Sequence, residues 1–265
     1  MTSDTPGSRL TAMRAAAPLV QCITNYVAMN IAANVLLAAG ASPAMVHSEE
    51  EAGEFATLAG ALTINIGTVS PDWITGMKAA AGGALATGHP WVLDPVAHMA
   101  TAYRRRIVAE LLELQPAIIR GNASEILALG GGASKARGVD AKDEVAAAEE
   151  AARKLALARK TVVAVTGRAD FVTDGTRTAR ITGGSHWMPR VTALGCSLTC
   201  LIGAYAAVEN DPFAAAVAAL THFAVSGRQA HARAHGPGSF SVAFLDALSS
   251  VDGAVLDAQA EVELS

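Results

Sequence analysis

Five short apolar runs recur along this 265-residue chain, each stopped by a polar residue or a glycine. They are Leu19 to Thr24 before Asn25, Leu62 to Ile66 before Gly67, Trp91 to Leu93 before Asp94-Pro95, Ala117 to Ile119 before Arg120-Gly121, and Thr161 to Val165 before Thr166-Gly167. Unalternated runs of this length suit strands buried on both faces. Segments of helical spacing lie between them, such as Val27, Ile31, Val35 and Leu36 ending at Gly40, or Ile107, Leu111 and Leu112. Strand and helix in repeated succession predict a three-layer α/β/α fold around a mostly parallel sheet with right-handed crossovers. The length is within range for one large α/β unit, so residues 1–265 are expected to form a single domain.

Three further segments add detail. Asp170 to Thr173 and Arg177 to Ile181 flank Asp174-Gly175, a tight-turn dipeptide, and predict an antiparallel flap. Glu49-Glu50-Glu51 is expected to open a helix through Leu58, Ala146 to Arg159 to form an alanine-rich helix, Pro212 to Ala234 a long apolar one, and Val242 to Leu248 the last. Gly130-Gly131-Gly132 with Ser134 to Asp143 reads as a mobile loop.

Charge and cysteine content narrow the function. A net charge of -4 gives no electrostatic reason to expect nucleic acid or an anionic membrane as a partner. The first residues lack a basic start followed by an apolar core, no apolar run is long enough to span a bilayer, and three cysteines do not make a disulfide framework. A cytoplasmic protein is expected. Hydrophobic residues make up 51% and charged ones 17%, an apolar balance that predicts a buried subunit interface or extensive internal layering. His231 and His235 stand four apart without a third metal ligand in view. Neither a Walker phosphate loop nor a G-x-G-x-x-G fingerprint is present, so any bound phosphate must be gripped otherwise.

The candidate grip is Val191 to Leu201, a glycine-containing loop entering a buried helix on which Leu198, Leu201, Ile202 and Tyr205 recur at helical spacing. Cys196 then sits at or near the helix N-terminus, where free amides favour an anion and lower a thiol pKa. The plainer alternative makes Cys196 and Cys200 small core residues one turn apart. Asn25 lies at a strand-to-helix junction, as a ligand contact or an N-cap. Asp94 ends a strand at the carboxyl-end crevice. Glu125 stands three residues after Asn122 in capping-box spacing; it either caps or joins Asp94 in holding a hard cation with phosphate oxygens. Arg104-Arg105-Arg106 reads as a solvated helix face.

Five ordered blocks, Gln21-Cys22-Ile23-Thr24-Asn25, Gly40-Ala41-Ser42-Pro43-Ala44-Met45, Leu93-Asp94-Pro95-Val96, Ile119-Arg120-Gly121-Asn122-Ala123-Ser124-Glu125 and Gly195-Cys196, resemble hydroxyethylthiazole kinases of the ribokinase-like superfamily. The resemblance runs from about Leu19 to Leu248. It implies transfer of the γ-phosphoryl of ATP to the primary alcohol of 4-methyl-5-(2-hydroxyethyl)thiazole, a salvage step for thiamine, by a homotrimer that binds the thiazole between subunits. It assigns Asn25 and Met45, with Gly67, Gly195 and the Ala193 backbone, to the substrate side. Arg120 and Thr166 fall to ATP, Asp94 and Glu125 to Mg2+, and Cys196 to the position of the catalytic aspartate in related sugar kinases. One departure stands out: Ala193-Leu194 replaces the Gly-Thr of the family's Gly-Thr-Gly-Cys loop, and alanine restricts the backbone where glycine would not. Alternatives are a kinase of another small alcohol such as a hydroxymethylpyrimidine, a non-catalytic thiazole-binding trimer, or a covalent Cys196 nucleophile paired through the fold with His222.

Overall fold

The computed structural model of the chain describes residues 4–131 and 141–265. The expected mobile loop falls largely on 132–140, outside the described residues. Helix α1 (Pro6–Ala16), which the apolar periodicity did not announce, precedes β1 (Leu19–Ile23) and is opened by a Thr5/Ser8 capping box with Pro6 in its first turn. Then follow α2 (Met29–Ala39), β2 (Ser42–Ala44), α3 (Ala52–Leu58), β3 (Ala61–Asn65), α4 (Pro71–Thr87), β4 (Trp91–Asp94), α5 (Ala102–Leu112), β5 (Ile118–Asn122), α6 (Ala123–Leu129), α7 (Ala141–Arg159) and β6 (Val162–Thr166). The antiparallel β7 (Asp170–Thr173) and β8 (Thr178–Ile181) form the expected flap. The chain closes with α8 (Leu194–Ala206), α9 (Pro212–His231), α10 (Pro237–Ser250), α11 (Gly253–Gln259) and β9 (Val262–Leu264).

One nine-stranded sheet runs in the order β2-β1-β3-β4-β5-β6-β7-β8-β9. It is parallel from β2 to β6 and antiparallel from there to β9. The expected mostly parallel three-layer architecture is therefore present. Side chains alternate along the strands between two apolar layers. Val20, Cys22, Val92, Ile118 and Ala164 face a layer built with α2, α8, α9 and α10, while Ile23, Ile64, Leu93, Ile119 and Val163 face one built with α3, α4, α5 and α7. Both faces are covered, which is why the strands read as continuous apolar runs.

Helix boundaries follow local chemistry. Gly40 ends α2 at φ 101°, the left-handed C-cap its position predicted. Helix α3 starts at Ala52, after the three glutamates expected inside it, and Glu51 makes no side-chain cap. Helix α7 extends further toward the N-terminus than expected, and α9 stops at His231, short of Ala234. Helix α8 runs antiparallel to the central strands: Thr63 of β3 touches Cys200 and Asp94 of β4 touches Thr199. Its N-terminus is thereby brought to the carboxyl ends of those strands, the usual place for ligands in such folds.

Candidate active site

Asp94 is the centre of the crevice and is fully buried. Its Oδ2 accepts from Asn65 Nδ2 at 2.7 Å and Thr199 Oγ1 at 2.9 Å, and Arg120 Nη1 stands 3.5 Å away. Its Oδ1 has no partner. Burial raises the carboxyl pKa to about 6, against the opposing pull of Arg120. Arg120 also donates from Nη2 to Thr166 Oγ1 at 2.6 Å, while its Nε is unpartnered. Asp94, which the resemblance gave to the metal, thus shares one network across β4, β5 and β6 with Arg120 and Thr166, which it gave to the nucleotide.

Asn25 closes the turn between β1 and α2 and also faces the crevice, while the N-cap of α2 itself is Ala28. Its Oδ1 accepts from the backbone amides of Val27 at 3.1 Å and Ala28 at 3.0 Å, and its Nδ2 donates to Asn65 Oδ1 at 2.8 Å and to Cys196 Sγ at 3.4 Å. Gly67 lies directly against it: a Cβ there would fall 2.7 Å from Asn25 Nδ2. Met45 stands apart from this network, just past β2 and half-buried against the core.

Ala193 caps α8 at φ 60°, ψ 14°, a left-handed conformation that glycine adopts freely and alanine does not. The Ala-Leu replacement has therefore kept a glycine-like backbone path at this position. No side chain caps α8, and Ser197 is the first residue whose amide bonds back, to Ala193 O at 2.9 Å. The preceding amides of Leu194, Gly195 and Cys196 are free for an anion. Gly195 lies under the Arg120 guanidinium, 2.9 Å from Nη2 at the position a Cβ would take, so the guanidinium closes over the helix start.

The electrostatics of Cys196 differ from expectation. Burial pushes the thiol above its ordinary pKa and the Asp94 carboxylate adds to the rise, outweighing the lowering by Asn25, Arg120 and Asn65. A helix N-terminus alone does not make this a low-pKa thiol. The covalent pairing with His222 is also corrected: His222 lies buried against Tyr205 Oη at 3.0 Å and Leu248 O at 3.2 Å, and neither ring nitrogen is left for Cys196.

Glu125 fulfils its capping reading. Its Oε2 accepts from Asn122 N and its Oε1 from Ala97 N, both at 2.9 Å. Its charge still acts on Asp94. Among the described residues, no cluster of three His, Cys, Asp or Glu is arranged for a metal, and His231 instead meets Ser185 Oγ at 3.0 Å.

Beside the network opens a cavity of about 1270 Å³, lined by Arg120, Thr166, Asp170, Phe171, Gly195 and Phe223 among others. It exceeds the roughly 300–1,000 Å³ of ordinary small-molecule pockets, giving room for a nucleotide. The β7–β8 flap forms part of its wall. Asp170 accepts from Gly167 N at 3.0 Å there, and burial raises its carboxyl pKa to about 6.

Four residues escaped the sequence reading. Asn65 is the last residue of β3 as Asp94 is of β4, but in the sequence it lies inside a run that reaches Ile66, and Thr199 lies one helical turn from Cys196. Asp170 was read only as part of a hairpin. Arg104 had no signal: it leaves the solvated face expected for Arg104 to Arg106 and donates to Ile66 O at 2.8 Å, Gly67 O at 2.7 Å and Val96 O at 3.0 Å.

The chain resembles known proteins along its whole length. A model of the hydroxyethylthiazole kinase family matches residues 10–253. A hydroxyethylthiazole kinase of Rhizobium rhizogenes is 66% identical over 261 residues, covering 98% of this chain and 97% of that protein. The structure of the hydroxyethylthiazole kinase of Pyrococcus horikoshii OT3 superposes with a TM-score of 0.91 at 38% identity, covering 98% of each chain. The pyridoxal kinase of Staphylococcus aureus in complex with AMP-PCP and pyridoxal shares the ribokinase-like fold, with a TM-score of 0.63 at 14% identity over 93% of this chain and 98% of that one.

Proposed function

The chain belongs to the hydroxyethylthiazole kinase family, and from that membership and the crevice's chemistry we propose that it phosphorylates the primary hydroxyl of 4-methyl-5-(2-hydroxyethyl)thiazole with ATP. The observation that carries this reading is the convergence of Asn25, Asp94, Arg120 and Cys196 on the uncapped start of α8, beside a nucleotide-sized cavity.

In the transfer, the alcohol oxygen forms a bond to the γ-phosphorus while the bond to the β,γ-bridging oxygen breaks and ADP leaves. The transition state is loose, so alignment and neutralisation of spreading charge supply most of the acceleration. The amides of Gly195 and Cys196 face that charge, and Arg120, oriented by Thr166, faces the phosphates. Asn25 and Gly67, with the Ala193 backbone, flank the alcohol, and Met45, apart from them within one protomer, lines the thiazole at the proposed subunit interface. Cys196 takes the alcohol proton through the fraction of it present as thiolate, and because a loose transition state releases that proton late, a small fraction suffices.

Mg2+ fits this crevice through Asp94, whose Oδ1 is buried and unpartnered. Glu125, with both oxygens on backbone amides, contributes its charge. The ion would supply neutralisation of phosphate charge. We further propose one kinase unit per chain, assembled as a homotrimer with the thiazole between subunits. Tyr26 and Val27, next to Asn25, are 68% and 57% exposed, and a partner would cover them. A cytoplasmic location suits three free thiols. Among the described residues no single helix is long and apolar enough to cross a membrane.

The test is a mass-resolved assay with hydroxyethylthiazole, ATP and Mg2+. Wild type gains a phosphate-sized mass on the alcohol, Cys196→Asp retains turnover, and Cys196→Ala loses about 100-fold or more, within the usual range for a proton acceptor. Equal rates in all three proteins would leave Cys196 as packing. Thermal stabilisation by the thiazole without product would make the chain a binder.

A further inference from the structure

Asn65 is buried and sits between Asn25 and Asp94, hydrogen-bonded to both. Backbone amides fix the orientation of both asparagines. Gly67 N donates to Asn65 Oδ1 at 2.9 Å, so that atom must be the oxygen, and Nδ2 then faces Asp94. The amides of Val27 and Ala28 likewise require the oxygen of Asn25 on their side, which turns its Nδ2 toward the crevice. That nitrogen carries two hydrogens. Asn65 Oδ1 takes one at 2.8 Å, and Cys196 Sγ is in line for the other at 3.4 Å.

We infer that Asn65 is a positioning residue which, by holding the Asn25 amide, fixes Cys196 Sγ as a hydrogen-bond acceptor. The sulfur lone pair aimed at Asn25 is engaged, and the thiol hydrogen is left to point elsewhere. A donor on sulfur favours the charged form of the thiol, against the burial and the Asp94 carboxylate that disfavour it. The other charged group facing Cys196 is the Arg120 guanidinium of β5. The inference rests on the proposed role of Cys196 as proton acceptor only for its use in catalysis; the orientation itself is independent of that role.

The test reads the thiol directly. The rate of alkylation of Cys196 by iodoacetamide at one mildly alkaline pH, mapped by mass to distinguish it from buried Cys22 and Cys200, is compared in wild type, Asn65→Ala, Asn25→Ser and the double variant. Asn25→Ser keeps a hydroxyl near the Val27 and Ala28 amides but removes the donor to sulfur. Each single variant is expected to alkylate several-fold more slowly, because less of the thiol is ionised once the donor to sulfur is lost. The double variant is expected to lose less than the product of the two single losses, because both act mainly through the Asn25 hydrogen bond and Asn65 adds only a smaller lowering of its own. In turnover, kcat falls for Asn65→Ala while KM for ATP is held. Unchanged or faster alkylation in Asn25→Ser overturns the inference, and so do additive losses in the double variant. Should Asn65→Ala fail to melt cooperatively, Asn25→Ser alone decides. If wild type transfers no phosphoryl group but the alkylation pattern holds, the proposed function fails and the positioning stands.

Discussion

At Asp94 the requirements of stability and of chemistry oppose each other. A carboxyl held near pKa 6 in the fold and 3.8 outside it binds more protons folded than unfolded between those values. Stability from this group is therefore lost as pH rises from about 4 through 6, amounting to roughly 3 kcal/mol at neutral pH for a shift of this size. Asp94→Asn can keep its oxygen toward Asn65 and Thr199, so without divalent cation it should raise the melting temperature at pH 8 and change it little at pH 4, while abolishing transfer. Paired melting curves at the two pH values check this; equal effects at both would show that the carboxyl is not held up by burial. Ala193 offers a second residue-scale expectation. Its φ of 60° is left-handed, which costs a non-glycine residue about 1 kcal/mol. Ala193→Gly should stabilise by up to that amount in denaturant unfolding, less the entropy glycine adds to the unfolded chain. A loss of stability would mean that the alanine methyl contributes packing worth more than the strain.

Between elements, the ends of β3 and β4 are tied by Arg104 of α5, which spans three carbonyls that would otherwise lack this donor. Arg104→Met should destabilise by about 2 kcal/mol or more, the scale of lost hydrogen bonds to a charged group, and raise KM for the alcohol because Gly67 packs against Asn25. Arg104→Lys should recover part of the stability. Chemical denaturation and steady-state kinetics on the same preparations separate the two effects, and a variant with native stability and KM would reduce Arg104 to surface chemistry. The elements themselves were largely legible in the sequence. Runs from Leu19, Leu62, Trp91, Ala117 and Thr161 became β1, β3, β4, β5 and β6, because burial on both faces demands apolar residues throughout. The Asp174-Gly175 turn likewise marked the β7–β8 flap, with Gly175 at φ 97°. Less legible were α1, α11 and β9, which depend on contacts with distant segments: α1 packs on α11 and α9, and Asp257 of α11 accepts from Gly7 N at 2.7 Å.

For the whole molecule, the apolar balance of the sequence is met mainly by two buried layers on one sheet. What the layers leave outside includes Tyr26, Val27, Leu37 and Leu58, each more than half exposed. If the proposed trimer covers the face around Asn25, Tyr26→Asp should shift the protein to a lower mass by light scattering and raise KM for the alcohol in parallel. A native mass with unchanged kinetics would place any interface elsewhere.

The sequence by itself determined the strand-and-helix alternation, the polar residues at strand ends and the glycine-containing start of α8, because each is a local consequence of burial period, turn chemistry and capping. It also marked Asn25 and Asp94, because a polar residue closing an apolar run must lie at the strand's end, and Cys196, because a glycine-containing loop enters its helix; Arg120 and Thr166 were assigned only through the family resemblance. Only the tertiary structure decided what those residues do to one another. It engaged both oxygens of Glu125 with backbone amides, left one oxygen of Asp94 bare, turned Arg104 inward and inserted Asn65 between Asn25 and Asp94. It also reversed the expected shift of the Cys196 thiol. The reason is physical: a helix N-terminus is a local feature, whereas desolvation and the field of Asp94 come from strands distant in sequence, and in this crevice the distant terms are larger.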